Sequence, residues 1–554
     1  MHPPYLRTIT WGAFTVFMAI AAVVAVAFPI HASDALTFGT WSRLIAGSGH
    51  FQFPNVSAAY SRPLFYFLEG WAWRTFGYHD AVGRLLCGLF SAVLIVALVW
   101  LVRGRAWGRV TAALVVLFVL TVPVFAEQVV STLTDVFVAA FVALTAAIAF
   151  RGDFGRWWTP VLLGVVSALA VLAKPSAVPA VAGIACAQLL FREPLAVRLV
   201  RRVLPLVGGT AVALVYYVHQ AGLLGLGVSA FLQSGVRSAY YSHLADVTRR
   251  SAILDAAWFG SALRTLLIFT FVYVVLRVVG VGHVRAAFAG VPAAAIGAWL
   301  LPWIGARESH PAVGAFTSAS SAIAWALTCG VLIAAVRAPP DSIPSRRELA
   351  MLALVAVGPV VAWMAYATYE LRFLAPAWPG LLALTAVSAT PAVAALAVRP
   401  ALALAPIVGL VVAVSFNVYN VDGLHRSGWD QWRRTPAAKR FDVDTTRAIV
   451  LPALAHALGK LRTFVGPSDK LFTPEGAFSF FYPGRVDQAY PTACSQLAGY
   501  RAFVLTTDQG SRAYMQDFLH VSGDPSHWAG CEGPRLRQLT DGADGYAVFS
   551  VAGR

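Results

Sequence analysis

Residues 81–102 read AVGRLLCGLFSAVLIVALVWLV, with Arg84 as the single charge. A helix that is apolar on every side belongs in a large core or in a membrane. The stretch also meets the roughly 20 residues needed to cross the hydrocarbon of a bilayer. It ends on Arg103-Gly104-Arg105, the basic flank expected of a cytoplasmic membrane end. Composition agrees with that reading. Of 554 residues, 58% are apolar and 12% charged, where a soluble chain carries about a quarter charged. Mean hydropathy is +0.68. A soluble multidomain protein and a disordered chain are excluded. Five cysteines without any Cys-x-x-Cys pair exclude a disulfide scaffold, a zinc ribbon and a thioredoxin-type redox site.

Comparable apolar stretches lie near 10–30, 109–124, 134–150, 159–173, 176–191, 203–220, 261–280, 286–304, 317–336, 349–366, 376–398 and 401–419, which with 81–102 makes 13 spans. The first exceeds a signal-peptide apolar region and reads as a retained anchor. Pro175 after Lys174 marks a turn, because proline disfavours helix at the residue before it. The connections alternate in charge. One set holds Arg103, Arg105, Arg109, Arg151, Arg156, Arg192, Arg198, Arg201, Arg202, Arg277, Arg285, Arg337, Arg346, Arg347 and Arg399. The other is nearly balanced: Asp34, Arg43, Arg62, Glu69, Arg74 and Asp80 in the loop 31–80, then Arg307 with Glu308 and Glu370 with Arg372. The positive-inside rule puts the first set and the N-terminus in the cytoplasm, and an odd number of spans puts the C-terminus outside. The net charge of +16 therefore reports topology, and no nucleic-acid partner is expected.

The expected architecture is a polytopic α-helical membrane domain, 1–423, followed by a small extracytoplasmic α/β domain, 424–554. In the latter, Phe478–Tyr482, Ala502–Thr506 and Tyr546–Ser550 read as strands and roughly 445–463 as a helix. Its two cysteines, Cys494 and Cys531, lie in an oxidising exterior that favours a disulfide. Cys87, Cys186 and Cys329 fall in apolar spans and read as packing residues. The pair Asp442/Asp444 precedes Thr445 and Thr446 and reads as helix-capping chemistry rather than a metal site. No nucleotide-binding loop, zinc-protease or serine-hydrolase motif is present, nor any internal repeat of the kind many transporters carry.

The loop 31–80 has the aromatic composition of an interfacial layer on the bilayer. Within it, Tyr60-Ser-Arg62-Pro63-Leu-Phe-Tyr66 sets one guanidinium at the start of an aromatic helix, with Pro63 suited to the first turn. Arg62 there suits either a lipid phosphate, which a guanidinium grips as a fork, or plain snorkelling. Glu127, Asp135, Lys174, Glu370 and Arg372 lie at or inside outer span ends. Ionised groups at that depth face protein or a wet cavity. Carboxylates and cations sharing one cavity suit proton removal from an incoming group and stabilisation of an anionic leaving group.

These motifs in this order resemble the GT-C membrane glycosyltransferases, most closely the lipid A aminoarabinose transferase and protein O-mannosyltransferase branch. The resemblance is carried by Ser33-Asp34-Ala35, Tyr60-Ser-Arg62-Pro63-Leu-Phe-Tyr66-Phe67, Phe76-Gly77 with Gly83-Arg84-Leu85, Thr132-Leu-Thr-Asp135, Leu172-Ala-Lys174-Pro175 and Tyr369-Glu-Leu-Arg372-Phe-Leu-Ala-Pro376. It implies a polyprenyl-phosphate-linked sugar donor and transfer with inversion to a hydroxyl of a glycan, glycolipid or protein. Asp34 would act as general base and Arg62 would bind the donor phosphate. Lys174 and Arg372 would assist it, and Asp135 would be a second acidic position. Tyr60, Arg84, Glu127 and Glu370 join the expected substrate-binding set. Two departures stand out. Relatives often have Asp-Glu where Asp34 precedes Ala35, so a second acidic ligand is missing; no metal residue is assigned, and dependence on a divalent metal is left open. Arg62 also replaces a Lys. The competing expectation is a transporter or flippase of a lipid-linked glycan, which needs the cavity but no base. The outer domain is expected to cap the cavity or help choose the acceptor. Abundant Ala, Val, Arg and Gly suggest a GC-rich bacterial genome, and so the plasma (inner) membrane.

Overall fold

The computed structural model describes residues 15, 18, 39, 42, 45–46, 62–77, 81–121, 134–223, 256–306, 319–364, 374–396, 452–473, 478, 482, 485–488, 493–507, 512, 516, 522–531, 535–543 and 545–552. The membrane part is built from α1 (Pro63–Phe76), α2 (Ala81–Val102), α3 (Gly108–Thr121), α4 (Asp135–Arg151), α5 (Trp158–Ala173), α6 (Val178–Gln188), α7 (Leu195–Arg198), α8 (Leu204–Leu223), α9 (Ala256–Val278), α10 (His283–Ala306), α11 (Ala319–Ile333), α12 (Arg346–Met364) and α13 (Trp378–Leu396). Eleven expected spans correspond to helices from α2 to α13; those at 10–30 and 401–419 lie outside the described residues or nearly so. Among the described residues, Val82–Val102, Leu195–Gly222 and Trp378–Leu396 are long and apolar enough to cross a membrane. The last five residues before α8 form a π-turn, Leu199–Val203, that joins it to α7. Gly108–Val119, Trp158–Ala173, Thr265–Val278 and Trp325–Arg337 are apolar but shorter.

Two helices occupy the centre. α4 buries residues on every side, from Asp135 to Ala149, and α13 does the same from Trp378 to Ala394. An all-round apolar helix has no face to offer water, so it takes the middle. α4 packs between α2 and α5, and α13 against α3 and α12. α8 lies at the rim, with Leu204, Val207, Val212, Val215 and Val218 exposed, the surface expected toward lipid. Cys87 is buried, whereas Cys186 is exposed. It sits on the outward side of α6, so its packing role is corrected.

The C-terminal part contains α14 (Pro452–Arg462), β1 (Lys470–Thr473), β2 (Arg485–Gln488), β3 (Ala502–Thr506), α15 (Pro525–Ala529), β4 (Arg535–Gln538) and β5 (Tyr546–Ala552). The sheet order is β2-β1-β3-β5-β4. β1 runs parallel to β2 and β3, while β5 is antiparallel to β3 and β4. Alternation separates two faces. Leu471, Ala502, Val504 and Val548 meet α14 through Leu454, Leu458 and Leu461. Phe472, Phe503, Leu505, Phe549 and Val551 cover the other face with Trp528 of α15. Cys494 and Cys531 are joined in a disulfide beside that second face. Phe478 is helical, not extended, and the Tyr482 amide donates to the Phe478 carbonyl at 2.8 Å. The two rings share the same buried cluster at a spacing of four residues, a helical interval that overrides the strand-like composition.

Candidate functional site

The site grows from α1. Pro63 occupies the first helical turn with Arg62 as N-cap, where the missing proline N–H costs nothing. The helix stops at Gly77, whose φ of +85° suits glycine. Its buried residues include Phe65, Tyr66, Glu69, Gly70 and Trp73, while Phe67, Trp71 and Phe76 are exposed. α1 is covered on one face and leaves aromatic rings exposed on the other. Gly70 permits this: a Cβ there would stand 2.6 Å from the Ser42 carbonyl oxygen.

Arg62 is half-buried, and Tyr217 lies within electrostatic reach of both Tyr66 and Arg62. The Tyr217 hydroxyl donates to the Val171 carbonyl at 3.0 Å, one turn before Lys174. α5 ends there because Lys174 is extended, with φ −166° and ψ 131°, as the following Pro175 demands. Lys174 Nζ donates to Asp135 Oδ1 in a buried ion pair. Each charge sits where its helix favours it: Asp135 in the first turn of α4 and Lys174 just past the end of α5. The pair is thus pre-oriented by two helix dipoles, and Lys174 holds a carboxylate.

Two further charges complete the cluster. Glu69 and Arg84 are fully or almost fully buried, at 0% and 1% exposure. Cys87, one turn along α2 from Arg84, lies within electrostatic reach of Glu69, Asp135 and Arg84 together. Below these charges the helices are locked by rings. Phe65 of α1 meets Phe137 of α4 edge-on at 5.1 Å, and Phe90 of α2 stacks on Phe137 at 4.0 Å. The structure therefore gathers Arg84, Asp135 and Lys174 at the end of the bundle where Arg62 begins α1. Asp34, Tyr60, Glu127, Glu370 and Arg372 lie outside the described residues. Glu69 was not among the expected site residues. Its signal was its spacing, at i+3 from Tyr66 and i−4 from Trp73, on the face that turns inward. Among the described residues no group of three acids, histidines or cysteines is placed to hold a metal.

The opposite end of the bundle is basic and self-contained. Arg202 grips Glu193 through two bonds of 2.8 and 2.5 Å and donates to the Ala149 carbonyl at 3.0 Å. Arg105 meets Glu348 at 3.2 Å. Arg151 caps α2 through the Leu101 carbonyl at 2.8 Å.

Residues 61–220 match the family model of the dolichyl-phosphate-mannose-protein mannosyltransferases. No curated protein matches the sequence. Among solved structures, ArnT from Cupriavidus metallidurans bound to undecaprenyl phosphate aligns over 97% of this chain and 97% of its own, at 14% identity and a TM-score of 0.45. The Archaeoglobus fulgidus oligosaccharyltransferase in complex with zinc and sulfate aligns over 97% of this chain and 73% of its own, at 14% identity and a TM-score of 0.46. AglB of the same organism, with an inhibitory peptide and a dolichol-phosphate, aligns over 98% and 74%, at 13% identity and a TM-score of 0.43. The matched segment 61–220 carries Arg62, Glu69, Arg84, Asp135 and Lys174, and over that segment the chain is similar to the dolichyl-phosphate-mannose-protein mannosyltransferases.

Proposed function

We propose that the chain moves a sugar from a polyprenyl-phosphate donor to an acceptor hydroxyl on the extracytoplasmic side of a bacterial plasma membrane. In this reading it has thirteen spans, a cytoplasmic N-terminus and an external α/β domain. The observation that carries the reading is the buried cluster Glu69, Arg84, Asp135 and Lys174 beside Arg62, within a segment of mannosyltransferase family. Ionised groups at that depth are costly unless they serve a site.

Asp34 takes the proton of the acceptor hydroxyl as its oxygen attacks the anomeric carbon from the face opposite the phosphate. The bond from that carbon to the phosphate oxygen breaks, and polyprenyl phosphate departs with the electron pair. Its growing charge is met by Arg62, whose fork matches a phosphate, and by Arg372. Lys174, held in place by Asp135, offers its remaining N–H donors to the phosphate. No step is routed through a metal, because Ala35 stands where a second acid would be needed.

Asp34→Asn should lower transfer by on the order of 10²–10⁴-fold, the usual worth of a general base, with expression and folding unchanged. Near-normal turnover would remove Asp34 from that role. Purified protein in detergent, given a polyprenyl-phosphate-linked sugar and acceptor, should release polyprenyl phosphate. A flippase would leave every covalent bond intact.

A further inference from the structure

α1 is attached at two places that belong to different parts of the protein. Phe65 and Tyr66 lie in the core of the helical bundle. Trp73, only 3% exposed, instead belongs to the core of the C-terminal domain, with Leu454, Leu458 and Leu461 of α14 and with Tyr482. Tyr66, Glu69 and Trp73 recur at i, i+3 and i+7, so one stripe of the helix runs from the bundle to the domain. Along that stripe Arg62 and Trp73 are separated by about 16 Å of helix rise. An indole is among the largest apolar groups a chain can bury, and this one joins a core whose other buried members run from Leu454 to Val548, with Ala46 and Val82 packed against it.

We propose that Trp73 is a positioning residue that ties the outer domain to the helix presenting Arg62 and Glu69. The seat for the donor phosphate is then set by how the domain docks. The inference rests on the reading of the chain as a polyprenyl-phosphate-dependent transferase. It goes beyond that reading by giving the domain a mechanical part in donor binding.

The test uses the full chain in detergent, with undecaprenyl phosphate as the probe and sugar release as a second readout. Trp73→Ala should weaken undecaprenyl phosphate binding and raise the donor KM by about tenfold per folded molecule. Trp73→Phe should restore most of the loss. Leu458→Ala, on the domain side of the same contact, should reproduce it. The double variant should be little worse than the worse single one, because contacting residues act non-additively. Unchanged binding and KM in Trp73→Ala, with only a lower yield of folded chain, would overturn the proposal and leave the transferase reading standing. Failure of the unmodified chain to bind undecaprenyl phosphate would overturn both.

Discussion

Asp135 and Lys174 decide much about the site, because burying two charges is expensive unless they meet. Removing one partner strands the other. Lys174→Met and Asp135→Asn are each expected to cost about 3–5 kcal/mol in unfolding from mixed micelles. The apolar double variant Asp135→Leu/Lys174→Met should recover most of that stability, since a well-packed apolar pair is often as stable as a buried ionic one. It should not recover sugar transfer. If instead the two losses simply added, the ion pair would be absent in solution. Both residues were legible in the sequence as costly charges at span ends. Their pairing was not, since they stand 39 positions apart and meet only because α4 and α5 pack side by side.

The basic segment from the end of α6 to the start of α8 shows how charge shapes an element. Arg202 is 6% exposed. It lies over the rings of Phe154 and Phe191 at 4.0 and 4.3 Å, which suits a guanidinium. Its hydrogen bonds to Glu193, helped by the nearby charges of Arg198 and Arg201, hold that carboxyl below the ordinary carboxylate range. A depressed folded-state value stabilises the loop fully above the ordinary carboxylate pKa. That stabilisation is lost as pH falls through the folded value. Amide exchange across 189–203, corrected for intrinsic rates, should therefore accelerate on acidification through that window. In Glu193→Gln the acid-dependent step should vanish; a step that persisted would assign it to another group. Helix limits in this region followed local rules, with Pro175 ending α5 as expected. The clustering of arginines was read as topology, and the structure adds that several of them cap carbonyls at helix C-termini, where the dipole welcomes a cation.

The C-terminal domain and the bundle share α1 but have separate cores. The disulfide closes a loop of 37 residues, for which chain entropy predicts about 4 kcal/mol. Reduction, or Cys494→Ser with Cys531→Ser, should lower the unfolding midpoint of the β-sheet signal while α-helical ellipticity from the bundle persists. Unchanged sheet melting would show that the bridge constrains nothing. The sequence alone determined the helical class of the bundle: long apolar runs have one solvent that suits them. It also determined local punctuation, such as Pro63 opening α1 and Lys174-Pro175 closing α5, because caps and proline act within a turn of their own position. Tertiary structure alone decided that Glu69 joins Arg84 and Asp135 around Cys87, that Phe478 is helical, and that Trp73 belongs to a domain nearly four hundred residues away. Those facts depend on which helix face meets which partner, a choice made by packing across the chain and written in no single stretch of it.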